Sequence, residues 1–135
     1  MAEKTLAMIK PDAMAAGFND AIIDHIKKNG FTVVKQEQMD LSKEQAEGFY
    51  AEHNERPFFD ELVTFMTSGP VTVMVLEKED GIKSWRSLMG DTDPAEAADG
   101  TVRKMFGASK GENATHGSDS PESAKREIEF FFSDL

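Results

Sequence analysis

The chain has 135 residues, of which 39% are hydrophobic and 30% charged, enough for one domain with a core of its own and too balanced a composition for a disordered chain. Its 25 acidic residues against 15 basic ones leave a formal net charge of -10, which disfavours binding to nucleic acid or anionic membrane through a broad basic face, so any anionic ligand must meet a local cluster of cations. The absence of Cys excludes disulfides, thiolate nucleophiles and Cys-based zinc sites.

The opening MAEKTLAMIKPD has too short an apolar stretch for a signal peptide, and no run of about 18 apolar residues occurs, so a cytoplasmic location is expected. Thr5 to Ile9 is short, apolar and closed by Pro11, which predicts a buried strand with Lys10 at its end. From Asp20 to Asn29 the residues Ile22, Ile23 and Ile26 recur at helical spacing, and Gly30 supplies a left-handed stop. Phe31 to Met39 follows as a strand.

Ser42 with Gln45 has the capping-box pattern, and Ala46, Phe49, Tyr50 and His53 share one helical face. Arg56-Pro57 breaks that helix, and Phe58 to Met66 restarts it as the second member of a pair. VTVMVL, Val71 to Leu76, is β-branched and apolar on both faces, the pattern of a central strand. Ile82 to Met89 reads as a short helix, and GDTDPAEAADG, Gly90 to Gly100, as a long polar loop of the kind that carries function. Thr101 to Phe106 holds a helical turn or two and GASKGEN is irregular. A short strand precedes a last helix from Pro121, capped by Ser120, with Ala124, Ile128 and Phe131 toward the core. The order predicts an α+β sandwich, a sheet covered by helices mainly on one face.

No GxxxxGK[ST] or GxGxxG cradle occurs, and kinase HRD and DFG signatures are absent. The stretch NATHGSDSPES, Asn113 to Ser123, leaves His116 with several possible roles. A Ser-His-Asp relay is disfavoured because sequence-adjacent Ser118 and Asp119 cannot ordinarily stack with it. Zinc would need further ligands, and His25 and His53 lack metal-ligand spacing. A polar turn residue is the plain alternative. The fourth reading is a nucleophile, because neutral imidazole accepts a phosphoryl group without an activating base. Lys10, Arg86 and Arg103 each lie by a loop or element end, where cations can converge on a cleft or simply face solvent.

Five blocks carry a resemblance: IKPDA (Ile9 to Ala13), FYAEHNERPFF (Phe49 to Phe59), SGPV (Ser68 to Val71), MGDTDPAEAADGTVR (Met89 to Arg103) and NATHGSDSPESAKREI (Asn113 to Ile128). In order and spacing, over essentially the whole chain, they resemble nucleoside diphosphate kinase. The resemblance implies one domain over residues 1–135, with a ferredoxin-like βαββαβ sandwich, an antiparallel four-stranded sheet with added helices. It implies transfer of the γ-phosphoryl group from a nucleoside triphosphate such as ATP to a nucleoside diphosphate, by a ping-pong route through phosphorylated His116.

By the same matching, Lys10 meets ribose and phosphate, Tyr50 lines the site, and Glu127 orients the imidazole. Phe58 stacks on the base, Arg86, Thr92 and Arg103 bind phosphates, and Asn113 meets the sugar hydroxyl. Stacking tolerates any base because every base has a π-face. Mg²⁺ is implied as a cofactor carried by the nucleotide phosphates, with no protein metal ligand. The partners implied are nucleoside di- and triphosphates and further copies of the chain, as a dimer, tetramer or hexamer, with the loop from Asp91 to Gly100 resembling the family's nucleotide-covering and subunit-contact loop. Neither membrane nor nucleic acid is expected. A binding module that had lost the chemistry would be expected to lack His116, Lys10 or an Arg, and a protein histidine kinase would share the first half-reaction.

Overall fold

The computed structural model describes residues 2–50, 57, 59–108 and 114–132. Four strands, β1 (Ala2–Ile9), β2 (Thr32–Met39), β3 (Val71–Glu79) and β4 (Thr115–Gly117), form one sheet in the order β2-β3-β1-β4. Every pairing is antiparallel. The helices are α1 (Pro11–Ala15), α2 (Asn19–Lys28), α3 (Lys43–Phe49), α4 (Phe59–Met66), α5 (Gly81–Met89), α6 (Val102–Phe106) and α7 (Pro121–Phe131). The expected α+β arrangement, with a four-stranded antiparallel sheet of ferredoxin-like order and added helices, is the one observed.

Successive residues of a strand face opposite sides, and here both sides are apolar. Ala7 and Ile9 of β1, with Met74 and Leu76 of β3, pack against Ile22, Ile23 and Ile26 of α2 and Trp85 and Met89 of α5. Leu6, Met8, Val73 and Val75 face the other way, onto Ala46, Phe49, Val63 and Met66 of the α3–α4 pair and onto Phe132 after α7. Helices therefore cover both faces, which corrects the expectation of a sheet covered mainly on one. The run VTVMVL, buried along its whole length, already required a partner layer on each side.

β1 and β3 extend beyond their apolar cores because the register sets Glu3 opposite Lys78 and Lys4 opposite Glu77, opposite charges that stabilise cross-strand pairs. Helix α1 was not expected: Pro11 ends β1 but also occupies the first helical position, where its fixed φ and missing N–H are tolerated. The predicted capping box is present, with Ser42 Oγ accepting from Gln45 N at 3.1 Å and Gln45 Oε1 accepting from Ser42 N at 2.9 Å. Helix α3 ends at Phe49, with Tyr50 as its C-terminal cap, and His53 lies outside the described residues. Gly30 takes the left-handed φ of 87° that its position after α2 requires. No helix among the described residues is long and apolar enough to cross a membrane.

Candidate active site

His116 sits in the middle of β4, opposite Met8 of β1, so its side chain rises on the face covered by α3 and α7. The chain enters β4 through Ala114, a non-glycine residue at φ 73°, held on both sides: its N–H donates to Asp12 Oδ2 at 3.0 Å and its carbonyl accepts from Lys10 N at 2.8 Å. A left-handed alanine is unfavourable in isolation, and these two bonds offset that cost at the doorstep of His116.

The imidazole Nε2 lies 3.1 Å from Glu127 Oε1. An ionised carboxylate can only accept, so the nitrogen facing it carries the proton and Nδ1 keeps its lone pair. No described residue hydrogen-bonds Nδ1. Glu127 is buried and is itself positioned: Ser118 Oγ donates to the same Oε1 at 2.8 Å while accepting from Leu6 N at 3.3 Å. A relay from the β1 backbone through a buried serine and a buried carboxylate thus sets the imidazole's tautomer. The ring is further confined by Phe49, edge-on at 5.1 Å, and Tyr50 at 6.1 Å between centroids.

The side chain of His116 is 20% exposed and opens into a cavity of about 210 Å³. Arg86 of α5, Thr92 of the long loop, Arg103 of α6 and Arg126 of α7 line it together with Asp119 and Tyr50. On a chain of net charge -10 this is the local cluster of cations an anionic ligand requires. Arg103 donates from Nη1 to Gly90 O and from Nη2 to Thr115 O, both at 3.0 Å, which ties the start of the long loop to β4. Its Nε is buried with no hydrogen-bond partner among the described residues. Burial and the nearby charge of Arg86 lower the Arg103 pKa to about 10, against the raising effect of Asp91, and the guanidinium stays charged at neutral pH.

Lys10 does not line the cavity, but it stands near enough to Arg103 to be affected by it. Burial first, and then Arg103, lower its pKa to about 8, with Asp12 acting in the opposite sense. Burial, and then the charge of Glu127, push the Tyr50 phenol well above its ordinary value, so Tyr50 is a neutral hydroxyl and not a base. Asp119 is held below the usual carboxylate range by the Ser123 hydroxyl, opposed by partial burial and helped by its own backbone, Arg86 and His116.

Of the residues expected at the site, His116, Tyr50, Glu127, Arg86, Thr92 and Arg103 come together around this cavity, with Lys10 beside them. Phe58 and Asn113 lie outside the described residues. Ser118, Ser123 and Arg126 were missed. The signal for two of them was available: Ser123, Arg126 and Glu127 share one face of α7 at i, i+3 and i+4, so a functional Glu127 carries the other two to the site. Among the described residues no three His, Asp or Glu side chains gather as a cation cage.

Comparison with known proteins agrees with the geometry. The family profile described as nucleoside diphosphate kinase matches residues 3–135. A nucleoside diphosphate kinase of Desulfotalea psychrophila is 56% identical over 133 residues, covering 98% of this chain and 97% of that one. One from Deinococcus radiodurans is 54% identical over 132 residues, covering 98% and 96%. Among solved structures, the Aquifex aeolicus nucleoside diphosphate kinase superposes with a TM-score of 0.96 at 48% identity, over 98% of this chain and 96% of the other. A halophilic nucleoside diphosphate kinase of Halobacterium salinarum, in complex with CDP, gives 0.94 at 42% identity, over 99% and 90%.

Proposed function

The chain belongs to the nucleoside diphosphate kinase family and is a phosphotransferase, and from that premise we propose that its site passes the γ-phosphoryl group between nucleotides by a ping-pong route on His116. The observation that carries this reading is the imidazole itself: Nε2 is committed to Glu127 at 3.1 Å, and Nδ1 is left as a lone-pair nitrogen on a residue lining a cavity edged by Arg86, Arg103 and Arg126.

In the first half-reaction Nδ1 attacks the γ-phosphorus in line, the new N–P bond forms, and the P–O bond to the β-phosphate breaks with its electron pair leaving on the nucleoside diphosphate. The imidazole gains positive character as the N–P bond forms. Glu127, buried and fixed by Ser118, stabilises that charge through the Nε2–H bond without moving. The second nucleoside diphosphate reverses the step and restores the neutral ring.

Arg86, Arg103 and Thr92 take the phosphate oxygens, with Lys10 supplying charge toward ribose and phosphate. Tyr50 confines the imidazole and stays protonated. Phe58 stacks on the base and Asn113 meets the sugar hydroxyl. Mg²⁺ enters as part of the nucleotide, neutralising phosphate charge. A lining of three guanidinium groups, a threonine and Asp119 fits an ion that arrives already bound to phosphates. The same reading includes a single domain over residues 1–135, a cytoplasmic location and a homo-oligomer, whose order sedimentation would measure. The direct test is incubation with γ-labelled ATP. Acid-labile, base-stable label on the wild type and none on His116→Ala is the expected result, and undiminished phosphate exchange by His116→Ala would overturn the assignment.

A further inference from the structure

We propose that Trp85 is a positioning residue for His116, setting the nucleophile's peptide against the helix that carries Arg86. The inference rests on the phosphohistidine reading above. It comes from the face of the sheet opposite the cavity. Trp85, the one tryptophan of the chain, is fully buried in α5, and its indole Nε1–H donates to the main-chain carbonyl of His116 at 3.2 Å. A hydrogen bond from a core side chain to a strand residue's own carbonyl fixes that peptide's height and tilt, and with them the direction of its Cα–Cβ bond.

The neighbouring residue shows that the close approach is built in. A Cβ on Gly117 would fall 2.5 Å from Trp85 Cδ1, 2.6 Å from its Nε1 and 2.5 Å from Met89 Cε. Only a glycine at that position lets the indole reach the histidine's carbonyl. Phe31 also packs against the indole, edge-on at 6.0 Å between centroids.

What the bond holds in register is the next residue on α5, Arg86, which lines the cavity that His116 enters. The helix is anchored to β1 at its start, where Ile82 N donates to Glu3 Oε1 at 2.9 Å, and to β4 through Trp85. The spacing between a phosphate-binding guanidinium and the nitrogen that attacks phosphorus is therefore governed from behind the sheet. A displacement near 1 Å between such groups is enough to slow transfer substantially.

The test measures nucleotide affinity and the single-turnover rate of phosphoenzyme formation separately. Trp85→Phe keeps an aromatic ring in the core and removes the donor. Biosynthetic replacement of Trp85 by benzothienylalanine, which has the shape of the indole without its N–H, separates the bond from the packing if the Phe variant folds poorly. The expected result for both is an unchanged nucleoside diphosphate Kd and a phosphorylation rate lower by about 2- to 13-fold, the range of one lost hydrogen bond. Wild-type phosphorylation rates in the benzothienyl protein, or an equal loss in Kd with no loss in rate, would overturn the inference. His116→Ala runs beside them: label persisting there contradicts the phosphohistidine reading itself, whereas normal labelling of His116 with no effect at position 85 contradicts only the role of Trp85.

Discussion

Substituting Glu127 probes the imidazole's orientation most sharply, because the two replacements Gln and Ala remove different parts of one contact. In the wild type, Oε1 of a buried carboxylate takes the His116 Nε2–H at 3.1 Å and the Ser118 hydroxyl at 2.8 Å. A hydrogen bond to a charged group contributes about 1.5–3 kcal/mol net, against about 0.5–1.5 for a neutral one. Glu127→Gln keeps an acceptor oxygen and loses the charge, a difference of about 1–1.5 kcal/mol, which lowers phosphorylation about 5- to 13-fold. Glu127→Ala removes the acceptor as well, for a loss of about 13- to 160-fold. It also leaves a vacated buried space next to Ser118, so its thermal stability should fall more than that of the Gln variant. Quenched-flow measurement of phosphoenzyme formation, with nucleoside diphosphate affinity measured in parallel, reads both effects. A Gln variant as fast as the wild type, or an Ala variant losing stability with no loss of rate, would refute the argument that the carboxylate holds the tautomer and stabilises the developing imidazolium.

Further expectations concern the cations and the base. Lys10, with its pKa lowered to about 8, is charged below that pH and neutral above it, so its contribution to nucleotide affinity should decline as pH rises through 8 and disappear from the profile of Lys10→Gln. The sign for stability is opposite: the unfolded chain binds the extra proton between about pH 8 and the ordinary lysine value of 10.5, so burial of Lys10 costs most below pH 8 and the cost is relieved as pH rises across that window. Chemical denaturation of wild type and Lys10→Gln at several pH values checks this. Arg103→Ala should depress phosphoryl transfer far more than stability, although loss of its bonds to Gly90 O and Thr115 O makes some destabilisation expected, on the order of 1–3 kcal/mol; a fully active, merely unstable variant would identify a structural charge instead. Phe58→Ala should weaken all nucleotides alike by about 1–3 kcal/mol, as measured by competition, and a loss confined to purines would contradict stacking.

The regular elements were legible because each rests on a local rule. The isoleucines of α2, the Ser42–Gln45 box of α3 and the β-branched run of β3 each depend on a few neighbouring residues, and all three fall where expected. The second covered face was harder to see, because alternation within β1 shows that both faces are apolar but not which helix covers each. The site divides the same way. His116, the arginines and Glu127 were assigned through the motif resemblance, since the contact of Glu127 with His116 spans a turn and two helical turns and no local periodicity predicts it. Ser118 is disfavoured in sequence as part of a catalytic relay, yet its hydroxyl links the β1 backbone to Glu127. Trp85 looks from sequence like one more core aromatic. Its indole N–H finds the nucleophile's carbonyl only because Gly117, thirty-two positions along the chain, leaves room.

On the proposed route His116 receives the phosphoryl group on the nitrogen turned away from Glu127. Phosphorus and nitrogen NMR of the isolated phosphoenzyme, together with digestion and identification of the phosphohistidine isomer, tests it directly. The expected product is a single phosphoramidate on Nδ1 of His116, with Nε2 still protonated toward Glu127. Phosphate on Nε2, or on any residue other than His116, would contradict it.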